Sequence, residues 1–128
     1  MHNGAIFPGL RVLVVEDEAL VGMMIVDMLE RLGCTYVVVA AWPNEALRRL
    51  RDQSFDIAVL DINLNGKQSF PVAEELRRRG IPYLFSTGYE KVAPPERHAG
   101  APLLQKPYTQ DELASIIGQL LRIARLAE

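Results

Sequence analysis

Ile57-Ala58-Val59-Leu60-Asp61 runs four apolar residues without alternation into a single carboxylate. A half-buried strand alternates; a continuous run of this length fits a strand buried on both faces, as in a parallel sheet flanked by helices. The carboxylate then sits at the C-terminal end of the strand, the edge of an open α/β sheet where ligands bind. Taken alone, Asp61 reads equally well as a turn residue ahead of Asn65-Gly66. What weighs against that plainer reading is the chemistry carried by three other strand ends.

Toward the N-terminus, Val12 to Val15 is a second continuous apolar run, ending in Glu16-Asp17-Glu18. Ala19 to Leu32 reads as a helix. Leu20, Met24 and Met28 form one row, and Val21, Ile25, Leu29 and Leu32 the next, with Gly33 as its C-terminal stop. Together they read as a wide core stripe, with Met23 and Ile25 at its margins. Tyr36 to Ala40 is the next strand. A helix from Pro43 to about Gln53 turns Ala46, Leu47 and Leu50 inward and leaves Arg48, Arg49 and Arg51 as a solvated face.

Toward the C-terminus, Asn63 to Gly66 has loop chemistry. A helix from near Ser69 to Arg79 buries Val72, Ala73 and Leu76 and stops at Gly80. Tyr83-Leu84-Phe85 is a short strand ending at Ser86-Thr87-Gly88. Glu90 to Gly100 is poor in apolar residues and holds Pro94-Pro95, so one turn or irregular chain is expected there. Leu103-Leu104 is a last short strand before Lys106-Pro107. Thr109 and Glu112 form a capping-box pattern opening a helix to about Leu126, with Leu113, Ile117, Leu120, Leu121 and Ala124 inward. Five strands alternating with four clear helices and one doubtful one mean βαβ units, a parallel sheet and right-handed crossovers. Residues 1–9 are expected to be a loose leader and 10–128 a single domain.

Composition bounds the function. The 128 residues are 49% hydrophobic and 23% charged, ordinary for a globular domain with a real core. A net charge of -2 argues against a nucleic-acid binder, which needs a basic surface. The single cysteine, Cys34, fits a reducing compartment and a small apolar packing role. There is no signal-peptide pattern, and no apolar run near the roughly 20 residues of a membrane helix. The expected location is cytoplasmic, with neither nucleic acid nor membrane as a partner.

The four strand ends carry Glu16 and Asp17, Asp61, Thr87 and Lys106. In a doubly wound sheet they lie along one edge. Three crowded carboxylates repel one another and call for a counter-charge. Oxygen ligands select a hard cation, and Mg²⁺ is held by one or two carboxylates with water and phosphate oxygens. A lysine and a hydroxyl supply the contacts a phosphoryl group wants. The set points to phosphoryl transfer onto an aspartate, with the small Gly88 leaving room for the phosphate.

On these residues the chain resembles the receiver domain of bacterial two-component response regulators. The matching pieces are Val-Leu-Val-Val-Glu-Asp-Glu (12–18), Val-Leu-Asp-Ile-Asn-Leu (59–64), Phe-Ser-Thr-Gly-Tyr (85–89) and Lys-Pro-Tyr (106–108). The resemblance implies a flavodoxin-like (βα)5 sheet in strand order 2-1-3-4-5. It makes Asp61 the phosphoacceptor, fed by a histidine kinase or a histidine phosphotransfer protein. It makes Asp17 a direct Mg²⁺ ligand, Glu16 a direct or water-mediated one, and Asn63 a ligand through its backbone carbonyl. It has Lys106 pair with Asp61 or the phosphoryl group, Thr87 swing onto a phosphoryl oxygen, and Pro107 follow a cis peptide bond that aims the lysine inward.

The pattern departs from the family at Leu103, where many receivers have an aromatic residue that changes rotamer as the threonine moves. Leu103 and Phe-Ser-Thr-Gly-Tyr resemble an atypical, often single-domain receiver subgroup with a Phe-Ala-Thr-Gly-type motif, Ser86 standing for the alanine. The switch is then expected in the 88–102 loop, and the fourth helix to be short or irregular. Receivers meet kinases near helix 1 and the loop after strand five. Ile116 and Ile123 lie at the edge of the last helix's apolar arc, where a weak homodimer is a further expectation.

A signalling domain, not an enzyme, is the leading expectation, acting by contact with an unknown downstream protein or as a phosphate sink. A haloacid-dehalogenase-like phosphatase needs a second acid two residues after its nucleophile, and Asn63 stands there. A pseudo-receiver that binds partners without phosphorylation would have no need of intact Asp17, Asp61, Thr87 and Lys106.

Overall fold

The computed structural model describes residues 6–64, 66–88 and 100–126. Five parallel strands form the sheet: β1 (Arg11–Val15), β2 (Tyr36–Ala40), β3 (Ile57–Asp61), β6 (Tyr83–Thr87) and β7 (Leu103–Gln105). Their order is β2-β1-β3-β6-β7, which is the expected 2-1-3-4-5 sheet once the hairpin β4 (Asn63–Leu64) and β5 (Lys67–Gln68) is set aside. The helices are α1 (Ala19–Arg31), α2 (Pro43–Asp52), α3 (Phe70–Arg78) and α4 (Gln110–Leu126). The expected irregular stretch falls mainly on residues 89–99, outside the described residues.

The continuous apolar runs have the anticipated cause. Leu13, Val15, Ala58, Leu60 and Phe85 face one cluster with Ala46 and Leu50 of α2 and Leu76 of α3. Val12, Val14, Ile57, Val59 and Leu84 face the other, with Ile25 and Leu29 of α1 and Leu113 and Ile117 of α4. Every second residue serves a different core, so neither strand face can be polar. Phe85 is fully buried and meets Phe70 and Tyr83 edge-on, with centroids 5.8 and 5.7 Å away.

Glycine stops α1 and α3 in the same way. Gly33 (φ 98°) donates to Glu30 O while Cys34 N–H reaches Leu29 O at 3.0 Å; Gly80 (φ 72°) donates to Arg77 O while Ile81 N–H reaches Leu76 O at 2.9 Å. This is the Schellman arrangement, which needs a left-handed residue after the cap. It turns Cys34 into the core, where burial pushes its thiol up to about 11.

Four local expectations need correction. The Asn63 to Gly66 loop belongs to the β4–β5 hairpin. The helix 1 stripe is narrower than expected: Ile25, placed at the margin, is buried, whereas Leu20 is 75% and Met24 55% exposed. An α-helix packed against one sheet buries a single arc, and Ile25, Leu29 and Gly22 fill it. Arg49 is half-buried rather than solvated like Arg48 and Arg51, because it lies toward the Leu50 side of α2. Of the supposed leader, residues 1–5 lie outside the described residues, but Phe7 is docked. Its N–H donates to Leu32 O at 2.8 Å and its ring packs on the second cluster. No helix among the described residues is long and apolar enough to cross a membrane.

Candidate functional site

The parallel topology delivers the expected residues to one edge. Glu16 and Asp17 follow β1, Asp61 ends β3, Thr87 ends β6 and Lys106 follows β7. Carboxylate oxygens of Glu16, Asp17 and Asp61 all lie within 4.8 Å of one another. Glu16 and Asp61 are buried and Asp17 half-buried. All the donors are hard oxygens at one point, which fits a divalent cation such as Mg²⁺.

Lys106 closes the cluster. Its Nζ donates to Glu16 Oε1 at 3.1 Å and to Asp61 Oδ2 at 3.2 Å, with only 15% of the side chain exposed. The Lys106 N–H is fixed by Thr87 O at 2.7 Å, and the Lys106–Pro107 peptide is cis, as the resemblance implied.

Burial pushes Glu16 up to about 7. The Glu18 N–H, donated to Glu16 Oε2 at 3.1 Å, and Lys106 work against the rise, while the Asp61 charge adds to it. For Lys106 burial works downward, but the charges of Asp61 and Glu16 outweigh it and raise the group above its ordinary value. The two shifts pull differently on the pair: the carboxylates keep Lys106 charged, whereas at Glu16 burial outweighs the lysine and leaves that carboxylate reluctant to ionise.

The hairpin supplies the fourth side. Asn63 N–H donates to Asp61 Oδ1 at 3.3 Å, leaving Oδ2 to Lys106. A methyl group at Gly88 would meet nothing within 4 Å, consistent with room for a ligand group. Leu103 stands on the edge strand β7 and is 49% exposed. Residues 89–99 of the expected switch loop lie outside the described residues.

One pair was missed. Fully buried Ser86 donates to Tyr108 Oη at 3.4 Å. Ser86 is in register with Asp61, and Tyr108 follows the Lys106–Pro107 turn. The signal was a small polar residue inside the Tyr83–Thr87 strand, where an apolar one would pack as well. Beside this pair, a cavity of about 410 Å³ opens between Val21, Met24 and Met28 of α1 and the Lys106–Pro107–Tyr108 turn.

The sequence matches the model of the response regulator receiver domain over residues 12–118. It is 36% identical over 122 residues to the two-component response regulator PhoP of Pseudomonas aeruginosa, covering 88% of this chain and 52% of that protein. Among solved structures, SdrG from Sphingomonas melonis Fr1 is similar with a TM-score of 0.80 and 42% identity, covering 88% of this chain and 96% of that one. The response regulator PhyR from Brucella abortus has a TM-score of 0.75 and 30% identity, covering 91% of this chain and 49% of that one. The chain spans about half the length of the curated relatives it matches. With its five-stranded parallel sheet and its acidic, lysine-closed edge, the chain belongs to the response regulator receiver domain family.

Proposed function

We propose that Asp61 accepts a phosphoryl group from a phosphohistidine of a histidine kinase or histidine phosphotransfer protein, and that residues 10–128 act as a signalling receiver rather than an enzyme. The observation that carries this reading is the Lys106 ammonium 3.2 Å from Asp61 in a cluster with Glu16 and Asp17. In the transfer, an Asp61 carboxylate oxygen bonds to phosphorus as the phosphorus–nitrogen bond breaks and its electron pair returns to the imidazole. Lys106 offsets charge on the acyl phosphate, and the Thr87 hydroxyl takes a phosphoryl oxygen. Glu16, Asp17, Asp61 and the Asn63 carbonyl would hold Mg²⁺, which supplies neutralisation of phosphoryl charge. The α1 flank around Met24 and the Lys106–Pro107–Tyr108 turn is the face offered to the phosphodonor protein; adaptable methionines suit that role.

The test is intact mass after incubation with Mg²⁺ and acetyl phosphate, beside Asp61→Asn. A phosphoryl increment that needs Mg²⁺ and is absent from the variant supports the reading. No increment in the native chain replaces it with a phosphorylation-independent binding module. The half-exposed Leu103, where an aromatic coupling residue is common, favours this second reading.

A further inference from the structure

The flank of α1 facing away from the Lys106 turn carries a groove of its own, of about 550 Å³, running beside the edge strand β2. Its floor is apolar: Gly22, Met23, Val26 and Val39. Met23 is 67% and Val39 38% exposed, so both present apolar surface to the groove. Gly22 adds no side chain between α1 and β2, where a Cβ would stand in ordinary contact, 3.6 Å from Val39 Cγ1. The polar lining is entirely carboxylate, Glu16 and Glu18 at one end and Asp27 and Glu30 at the other. Among the described residues, Lys106 pairs with Glu16 at 3.1 Å and the exposed Arg31 with Asp27 at 3.0 Å, so Glu18 and Glu30 are the carboxylates left to set the groove's charge.

We propose that this groove docks a cationic amphipathic helix of a partner protein. Charge complementarity sets the occupant's sign. Glu18, the N-cap of α1, and Glu30, in its last turn, are twelve residues apart (30 − 18), about 18 Å at 1.5 Å per residue. A helix laid alongside therefore places Lys or Arg about three turns apart, with apolar residues between them covering Met23 and Val39. The acids fix register and speed encounter, while the apolar floor supplies the burial. Glu16, which belongs to the acidic cluster at the strand ends, also borders the groove, so the groove ends beside that cluster. The inference stands on the groove alone and does not require that Asp61 be phosphorylated.

The experiment uses the whole chain, labelled with ¹⁵N, titrated with a Leu/Lys amphipathic peptide of about four turns. The same peptide with Glu for Lys is the control. Expected are saturable amide shifts centred on Gly22, Met23, Val26 and Val39, absent with the control. Met23→Lys and Glu30→Lys each weaken binding about tenfold, and Met24→Lys, on the opposite flank, changes it by less than about twofold. All three positions are exposed, and the dispersion of each variant's spectrum reports that it is folded. Shifts centred on Met24, Met28 and Tyr108, small shifts scattered over every acidic surface, or no saturation each overturn the proposal.

Discussion

The hydroxyl of Ser86 donates to the phenol oxygen of Tyr108 at 3.4 Å, and so ties the strand beside Asp61 to the turn that carries Lys106. Ser86 is fully buried and Tyr108 nearly so, and burial raises the phenol above its ordinary value. The contact is long for a hydroxyl pair, so its net worth is modest, about 0.5 kcal/mol. Its removal from one side only is more expensive. Tyr108→Phe leaves the Ser86 hydroxyl buried without its partner and is expected to cost about 1–2 kcal/mol. Ser86→Ala should cost about 0.5–1.5 kcal/mol. Urea denaturation of both variants and the double variant checks this. The double variant is expected to cost less than the sum, and strict additivity would show that the two hydroxyls do not interact.

The Lys106 ammonium between Glu16 and Asp61 makes a pH-dependent prediction. Glu16 rises from 4.5 to about 7 on folding. Between those values the folded chain binds more protons than the unfolded one, so this group makes stability fall as pH rises from about 4.5 to about 7 and level off above. Lys106→Met removes the cation that opposes the rise. The variant is expected to lose more stability at about pH 8 than at about pH 5, and Glu16→Gln to flatten the profile. Thermal denaturation across this range decides; a Lys106→Met deficit independent of pH would mean that lost packing, not charge, dominates.

Mg²⁺ supplies the opposite lever. A cation bound at Glu16, Asp17 and Asp61 favours the ionised form of Glu16, so it should stabilise the folded chain, and more strongly above about pH 7, where Glu16 no longer has to release a proton. At a hundredfold excess over Kd the gain is about 2.7 kcal/mol. Asp17→Ala should remove most of it. A calorimetric scan with and without Mg²⁺ measures both, and an equal gain in Asp17→Ala would place the ion elsewhere.

Why the sheet was readable and some of its surroundings were not follows from length scale. Val12–Val15 and Ile57–Leu60 are continuous because both faces are buried, and that property is local to the strand. Glu16, Asp17, Asp61, Thr87 and Lys106 followed, because parallel topology alone carries strand ends to one edge. Ile25 and Met24 are adjacent, equally apolar and opposite in fate. Their burial depends on the angle at which α1 meets β1 and β2, which no periodicity specifies. The Ser86–Tyr108 pair joins positions 22 residues apart; a polar residue inside the Tyr83–Thr87 strand signals that a partner is needed, but local sequence does not say that the partner is Tyr108. The β4–β5 hairpin was hidden because Asn-Leu-Asn-Gly serves an open loop and a tight hairpin equally.

Helix α4 gives the last prediction. Thr109 Oγ1 accepts the Glu112 N–H at 3.1 Å, and Glu112 Oε1 accepts the Thr109 N–H at 2.9 Å. This reciprocal box satisfies two donors that the helix start leaves unpaired, directly after the turn that holds Lys106 and Tyr108. Thr109→Ala is expected to cost about 1 kcal/mol, and Thr109→Ser to restore most of it. Both residues are exposed, so no cavity adds to the loss. The denaturant midpoint should fall with an unchanged slope, and phosphoryl acceptance at Asp61 should survive, because Lys106 N–H stays fixed by Thr87 O. A slope that changes in Thr109→Ala would mean that α4 frays as a unit, and the box would then be setting the boundary of the fold rather than trimming its stability.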